Sequence, residues 1–276
     1  MTSPKASGGE RAARTRRPRR AGPALSGEQL TTVLSLLPKA DSVELKASVP
    51  DTDRRSVVAA FDMDPLEAQI RQVAFYDTPD LALDARGLVV RLRRVQGRPG
   101  DAVVKLRPVV PEEVPAKLRS SPAFSIEVDA MPGGFVCSGT MKAPADSELA
   151  KATMAGARPL RKLLTKAQRA FYAEHAPAGV DLDGLTMLGP INVFKLKFRP
   201  PRFDRRLVAE LWLYPDGSRI LELSAKATPA EAFDVAAATK ALLARNGVDL
   251  SAAQQTKTKT ALRYFVRELT PSAGAP

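Results

Sequence analysis

The chain is poor in the residues that carry the commonest site chemistries. Its 276 residues include one cysteine and one histidine. A lone Cys137 excludes a disulfide framework and reads as a structural thiol, and a lone His175 excludes a histidine-rich metal centre. A Ser–His–Asp triad would have to use His175, which ends a helical pattern and reads as a solvated or helix-terminal residue. Aromatic residues make up 5%, too few for an extended base-stacking surface. No apolar run approaches the ~18 residues of a membrane span. No GxGxxG or Walker loop is present, so the ordinary nucleotide-binding folds have no support. Internal repeats are also missing. These absences leave a cytoplasmic protein without a membrane span as the expectation, and they set no oligomeric state.

Charge is what the chain has in quantity. The formal net charge is +12, and 44% of the residues are hydrophobic, enough for a core. The charge is uneven. Residues 1–24 hold Lys5, Arg11, Arg14, Arg16, Arg17, Arg19 and Arg20 against Glu10 alone. With Pro, Gly and Ser and no apolar periodicity, this stretch reads as a disordered basic tail. It suits a solubilising extension or non-specific contact with a polyanion. No apolar stretch follows Arg16-Arg17, which argues against a twin-arginine export signal. The reading is a folded domain over 25–270 with a helical insert at 131–176, and a short disordered tail at 271–276.

The folded part repeats one pattern. Along a strand, residues two apart share a face. Glu44 and Lys46 oppose Val43 and Leu45. Arg91 and Arg93 oppose Val90 and Leu92. Lys105 opposes Val104 and Leu106, and Glu127 with Asp129 opposes Ile126 and Val128. Lys195, Lys197 and Arg199 oppose Phe194, Leu196 and Phe198. Glu210 opposes Leu211 and Leu213, while Glu222 and Lys226 oppose Leu221 and Leu223. A half-buried sheet with one solvated face produces the same alternation. The sorting by sign points further. Basic residues cluster in some strands and acids in others, the pairing that a polyanion with a divalent metal requires.

Strands are expected near 42–49, 68–76, 88–95, 102–107, 124–130, 193–199, 207–214 and 219–226. Ser26 caps a helix reaching Leu36 or Leu37, and another covers about 53–61. Asp80 caps a helical turn that Gly87 ends. The clearest helix of the insert is 165–175. Asp216-Gly217 makes a hairpin turn. Thr228-Pro229-Ala230-Glu231 reads as a capping box, and Ser251 with Gln254 as the start of the last helix. Eight strands with helices before, between and after them suit an α+β fold: a closed antiparallel eight-stranded β-barrel with a charged interior and helices packed outside. A two-layer solvated sheet remains compatible with the same pattern.

One stretch carries a family resemblance. Tyr76-Asp77-Thr78-Pro79-Asp80-Leu81 is followed by Leu83 and then by Arg86-Gly87-Leu88-Val89-Val90-Arg91-Leu92-Arg93. This resembles the CYTH superfamily, the triphosphate tunnel metalloenzymes, whose hallmark is a YFDT-type segment leading through a short helix and a glycine into an R-x-R strand. Further matches follow in the family's order over roughly 40–268. Val43-Glu44-Leu45-Lys46 resembles the second half of an E-x-E-x-K opening. Val103-Val104-Lys105 resembles a T-x-K strand, and Ser125-Ile126-Glu127-Val128-Asp129 a paired-acid strand. Ile220-Leu221-Glu222-Leu223-Ser224 resembles a late E-x-E strand, and Lys257 or Lys259 the final lysine. The departures thin the acidic set. Ser42 and Ser224 stand where the family has glutamates, Tyr214 where an aspartate is common, and Val103 where it has threonine.

The resemblance implies triphosphate hydrolysis, or in some members cyclisation of ATP. Charge sets the roles. Arg91 and Arg93 can fork onto phosphate oxygens, with Lys105, Lys195, Lys197, Arg199, Lys226 and Lys257 as point charges. Glu44, Glu127, Asp129, Glu210 and Glu222 are the candidate ligands for Mg²⁺ or Mn²⁺. Glu44, Lys46 and Glu222 are the catalytic candidates. The expected partner is a triphosphate or polyphosphate ligand. The thinned acids keep open the alternative of a non-catalytic polyphosphate-binding module.

Overall fold

The computed structural model describes residues 23–269. Residues 1–22 and 270–276 lie outside the described residues, and with them the expected tail at 271–276 and all but residues 23 and 24 of the one at 1–24. Nine strands form the sheet: β1 Ser42–Val49, β2 Gln69–Asp77, β3 Leu88–Val95, β4 Arg98–Leu106, β5 Phe124–Met131, β6 Gly134–Ala145, β7 Thr186–Phe198, β8 Leu207–Leu213 and β9 Arg219–Ala227. The helices are α1 Gly27–Leu36, α2 Asp51–Ala60, α3 Ala82–Ala85, α4 Ala116–Arg119, α5 Ser147–Met154, α6 Lys166–His175, α7 Ala232–Arg245 and α8 Lys257–Leu269. None is long and apolar enough to cross a membrane.

The strands close into a barrel in the order β1-β5-β6-β4-β3-β2-β7-β8-β9. Two features correct the expected eight-stranded antiparallel sheet. The barrel has nine strands, and β1 runs parallel to β5, with Ser42 opposite Glu127 and Glu44 opposite Asp129. The additional strand is β6, which opens the stretch expected to be helical. Gly134, Gly139 and Pro144 are residues that strands disfavour, and they hide its alternation. Gly139 is needed there, since a Cβ would stand 2.9 Å from the Phe124 ring. The helical part of the insert begins only at α5.

Period-two alternation places one face outward. Val43, Tyr76, Val90, Leu92, Val104, Ile126 and Val128 pack under α1 and under α5 and α6 of the insert, where Phe171, Tyr172 and Leu164 supply the cover. Ala47, Val49, Leu207, Leu221 and Leu223 pack under α2 and α7, against Val57, Phe61, Val235 and Leu242. Burying a side chain of this size stabilises by ~1.5–3 kcal/mol, so the helices are what let the polar face turn inward.

A third apolar cluster lies inside the barrel. Val73, Phe75, Val89, Ile191, Val193, Trp212 and Ile220 fill one part of it, and Ala261 and Leu262 of α8 pack onto them. Helix α8 begins later than expected because Gln254 and Gln255 are used elsewhere. The Gln254 Oε1 accepts from the Ser48 amide at 2.9 Å, and the Ser48 hydroxyl donates to the Gln255 carbonyl at 3.1 Å. These bonds stitch the approach to α8 onto β1.

The 76–93 segment is held by backbone chemistry. The cap of α3 comes from Asp77 and Thr78, not from Asp80. The Asp77 carboxylate accepts from the amides of Thr78, Leu83 and Asp84, and the Thr78 hydroxyl accepts from Ala82. Gly87 has φ +72°, and a Cβ there would lie 1.9 Å from the Arg107 carbonyl oxygen. Only glycine allows β3 and the end of β4 to meet at this point.

Candidate functional site

The polar face of β1 carries Ser42, Glu44, Lys46 and Ser48, and its neighbours bring matching charges to it. Glu44, Glu127 and Asp129 each offer a carboxylate oxygen, and these lie within 4.8 Å of one another. The parallel register of β1 and β5 makes this trio, because Glu44 sits directly opposite Asp129. Lysines thread it. Lys46 Nζ lies 3.0 Å from Glu44 and 2.8 Å from Asp129, and Lys105 Nζ lies 3.1 Å from Asp129. Lys226 reaches Glu127 at 3.5 Å from the exposed end of β9.

Burial opposes charge here, and the ion pairs overcome it. Burial would raise the Asp129 carboxyl, yet the ammonium groups of Lys46 and Lys105 hold it at about 2. Glu44 is lowered against the same burial by Lys46. Burial works against the Lys46 charge, but Glu44 and Asp129 raise its pKa well above the ordinary lysine value.

The two serines stand inside this cluster. The Ser224 hydroxyl donates to Glu44 Oε1 at 3.1 Å, and Ser42 Oγ lies 3.4 Å from Glu127 Oε1. Both serines are buried. Each therefore abuts a carboxylate of the trio.

Glu210 and Glu222 face each other on β8 and β9 and are engaged by lysine. Lys257, the first residue of α8, lies 2.6 Å from Glu210 and 2.7 Å from Glu222, and Lys195 lies 2.9 Å from Glu210. Despite burial, Lys257 and Lys195 hold the Glu210 carboxyl well below the usual range. Of the two lysines considered for the end of the chain, Lys257 enters the barrel, whereas Lys259 is exposed.

The basic wall lies on β3, β2 and β7, across the ring from β1 and β5. Arg93 is paired with Asp101, and Arg91 approaches the same carboxylate at 3.8 Å. The Nε of Arg91 is buried without a partner. Burial and then the Arg93 charge lower the Arg91 pKa. Lys195 is likewise lowered, chiefly by burial, despite its contact with Glu210. Lys197 lies on the same face as Lys195 but is exposed, and Arg199 is exposed beyond the end of β7.

Sequence reasoning passed over three charged residues of this wall. Arg71 on β2 is 5% exposed. Asp101 on β4 is the shared partner of Arg91 and Arg93 and also lies 3.9 Å from Lys142 on β6. A signal existed for two of them. Arg71 shares a face with Gln69 and Val73 in a stretch already read as a strand, and Asp101 stands one residue before the expected start of its own.

The trio is a set of hard oxygen donors, so it could hold a hard divalent cation rather than a soft metal. No protein-family model matches the chain, and no curated protein matches it in sequence. Solved structures match in fold. An adenylyl cyclase candidate from Hippeastrum, described as having a dominant triphosphatase activity, superimposes with a TM-score of 0.58 at 17% identity, covering 80% of this chain and 94% of that one. An adenylate cyclase candidate from Bacillus halodurans superimposes with a TM-score of 0.56 at 12% identity, covering 80% of this chain and 97% of that one. With its closed barrel, inward charges and covering helices, the chain has the fold of the CYTH-type triphosphate tunnel proteins.

Proposed function

We propose that this protein binds a triphosphate inside the barrel and hydrolyses it with the help of a divalent metal. The observation that carries the reading is the opposition of two charge sets in one closed ring. The carboxylates of Glu44, Glu127 and Asp129 lie on β1 and β5, and Arg91, Arg93 and Lys195 lie across from them. A triphosphate brings several negative charges into the barrel, so it needs cations fixed in advance. Arg91 and Arg93 fork onto phosphate oxygens and orient the chain. Lys46 and Lys105, paired with the trio, would exchange carboxylate oxygens for phosphate oxygens as the ligand enters. Held by the trio, Mg²⁺ or Mn²⁺ would neutralise charge on the phosphates and lower the pKa of an attacking water. Glu222, with Lys257 upon it, fixes the α8 end of the site. The triphosphatase activity described for the Hippeastrum protein supports the same reading.

A second reading has its own support. Every carboxylate of the trio already meets a lysine, and serines rather than acids stand beside Glu44 and Glu127. A module that binds polyphosphate without cleaving it needs no more than this. The deciding experiment incubates the protein with inorganic triphosphate, thiamine triphosphate and ATP, with Mg²⁺ or Mn²⁺, and assays orthophosphate and pyrophosphate. Orthophosphate release supports hydrolysis. Pyrophosphate with cyclic AMP from ATP would replace it with cyclisation. Binding without either product would leave the non-catalytic module.

A further inference from the structure

Arg71 is a buried cation that forms no ion pair among the described residues, although the Glu210 and Asp101 charges act on it from a distance. It lies on β2 between the strands that carry Lys195 and Arg93. Lys195 has Glu210, and Arg93 has Asp101. Among the described residues no carboxylate pairs with Arg71. Its Nε and Nη2 both donate to Gln69 Oε1, at 3.3 and 2.8 Å, and Arg98 donates to the same oxygen at 2.6 Å. A single neutral amide oxygen thus serves two guanidinium groups. Burial, with the Arg93 charge second, lowers Arg71 to about 10, so it is still charged at neutral pH. A guanidinium has five N–H donors, and those of Arg71 that do not reach Gln69 meet no protein acceptor among the described residues. A buried charge in this condition is costly unless an anion completes it.

Its place in the ring says which part of an anion. β2 lies across the barrel from β1 and β5, so Arg71 is remote from the acidic trio. In a linear phosphate chain the unesterified terminal group holds the most charge, approaching two at neutral pH with a second pKa of about 6. An internal phosphate holds one. The cation that has no ion-pair partner among the described residues matches the terminus.

We propose that Arg71 is a specificity-determining residue that binds the unesterified terminal phosphate of a linear triphosphate. The assignment rests on the reading of the barrel as a triphosphate site, and it adds a demand for a free chain end. The test compares linear inorganic triphosphate with cyclic trimetaphosphate, which has three phosphates and no end. Binding is measured by calorimetry without metal, so that no turnover intrudes, for wild type, Arg71→Met and Arg71→Lys. Wild type binds the linear compound at least about tenfold more tightly than the cyclic one. Arg71→Met loses about tenfold or more on the linear compound, the worth of a charge-assisted hydrogen bond, and little on the cyclic one. Arg71→Lys, which keeps the charge but not the fork, falls between. Thermal unfolding without ligand supplies a readout of opposite sign to a structural role. Removing an uncompensated charge leaves Arg71→Met at least as stable as wild type. A less stable Arg71→Met that keeps the linear preference would overturn the assignment and make Arg71 a tie to Gln69. Equal losses on both compounds would overturn the demand for a terminus. Failure of wild type to bind either compound would overturn the triphosphate reading itself, and the assignment with it.

Discussion

Replacing Lys257 by methionine removes the cation that ties α8 to the barrel interior. The ammonium lies 2.6 Å from Glu210 and 2.7 Å from Glu222, and 5.3 Å from the centre of the Trp212 ring. Side-chain exposure is 14% for Lys257 and 5% for Glu222. Glu210 keeps Lys195 after the substitution, but Glu222 has no other ion pair among the described residues. At 2.7 Å and an effective dielectric constant near 20, the Lys257–Glu222 attraction is about 6 kcal/mol gross. Relief of lysine desolvation offsets part of the loss, and breaking a buried pair from one side typically costs about 3–5 kcal/mol. For a chain of this length that is a fall in Tm of about 6–20 °C. Urea unfolding of the variant measures it. Adding Glu222→Gln removes the stranded charge and recovers most of the loss, because the pair is worth far less than the penalty of leaving half of it. Loss below about 1 kcal/mol, or a double variant no more stable than Lys257→Met alone, would refute the reasoning. Either result would mean that water reaches Glu222 and that α8 does not seal this part of the barrel.

Three other outcomes follow from the same structure. Asp129 titrates near 2 against an ordinary 3.8; a depressed carboxyl stabilises the fold above its unfolded pKa and loses that contribution as pH falls through the folded one. About 2 kcal/mol from Asp129, with further loss from Glu44 and Glu210, should therefore vanish between about pH 4 and pH 2, and a flat urea midpoint across that window would contradict it. Gly87→Ala places a methyl group against the Arg107 carbonyl at a backbone angle that favours glycine, and should destabilise by more than about 2 kcal/mol; near-neutral stability would mean that β3 and β4 do not meet as described. Ser42→Glu with Ser224→Glu adds carboxylates beside Glu127 and Glu44, and should tighten Mn²⁺ binding while lowering metal-free stability; unchanged metal affinity in a folded double variant would mean that these side chains do not face the ion.

The fold was legible where a charge pattern and an apolar pattern reinforced each other. β1, β3, β5 and β9 alternate cleanly, and their polar faces do turn inward. β6 failed because glycine and proline interrupt it, although Val136, Ser138, Thr140 and Lys142 share one face and Cys137 and Met141 the other. The parallel pairing of β1 with β5 has no local signal. Antiparallel neighbours are announced by tight turns, but Ser42 and Glu127 are 85 residues apart in the chain. The apolar filling inside the barrel was equally hidden. Val73 and Phe75 share the inward face with Arg71, so period two grouped them correctly without saying that the inside is half greasy. Only the position of α8 supplies that fact, since Ala261 and Leu262 need something to pack on.

For the site, alternation told which residues share a face, while contact decided which of them meet. Five acids read alike in the sequence. In the barrel three form a trio threaded by Lys46, Lys105 and Lys226, and two close on Lys257. That division follows from strand order, which places β8 and β9 at the point where α8 enters. The lysines then acquire a common logic. In the metal-free barrel Lys46, Lys105 and Lys257 act as internal counter-ions, keeping clustered carboxylates from repelling one another. On the proposed function, a phosphate chain would compete for those lysines, and a divalent ion for the carboxylates they leave. Each ligand would vacate the partner that the other requires, so on that reading the two should bind with positive coupling, which must be reciprocal. Arg71 stands outside this exchange because it has no carboxylate to give up. A phosphate arriving there would gain a guanidinium without breaking an ion pair, which is why the proposal puts the ligand's most highly charged end at β2.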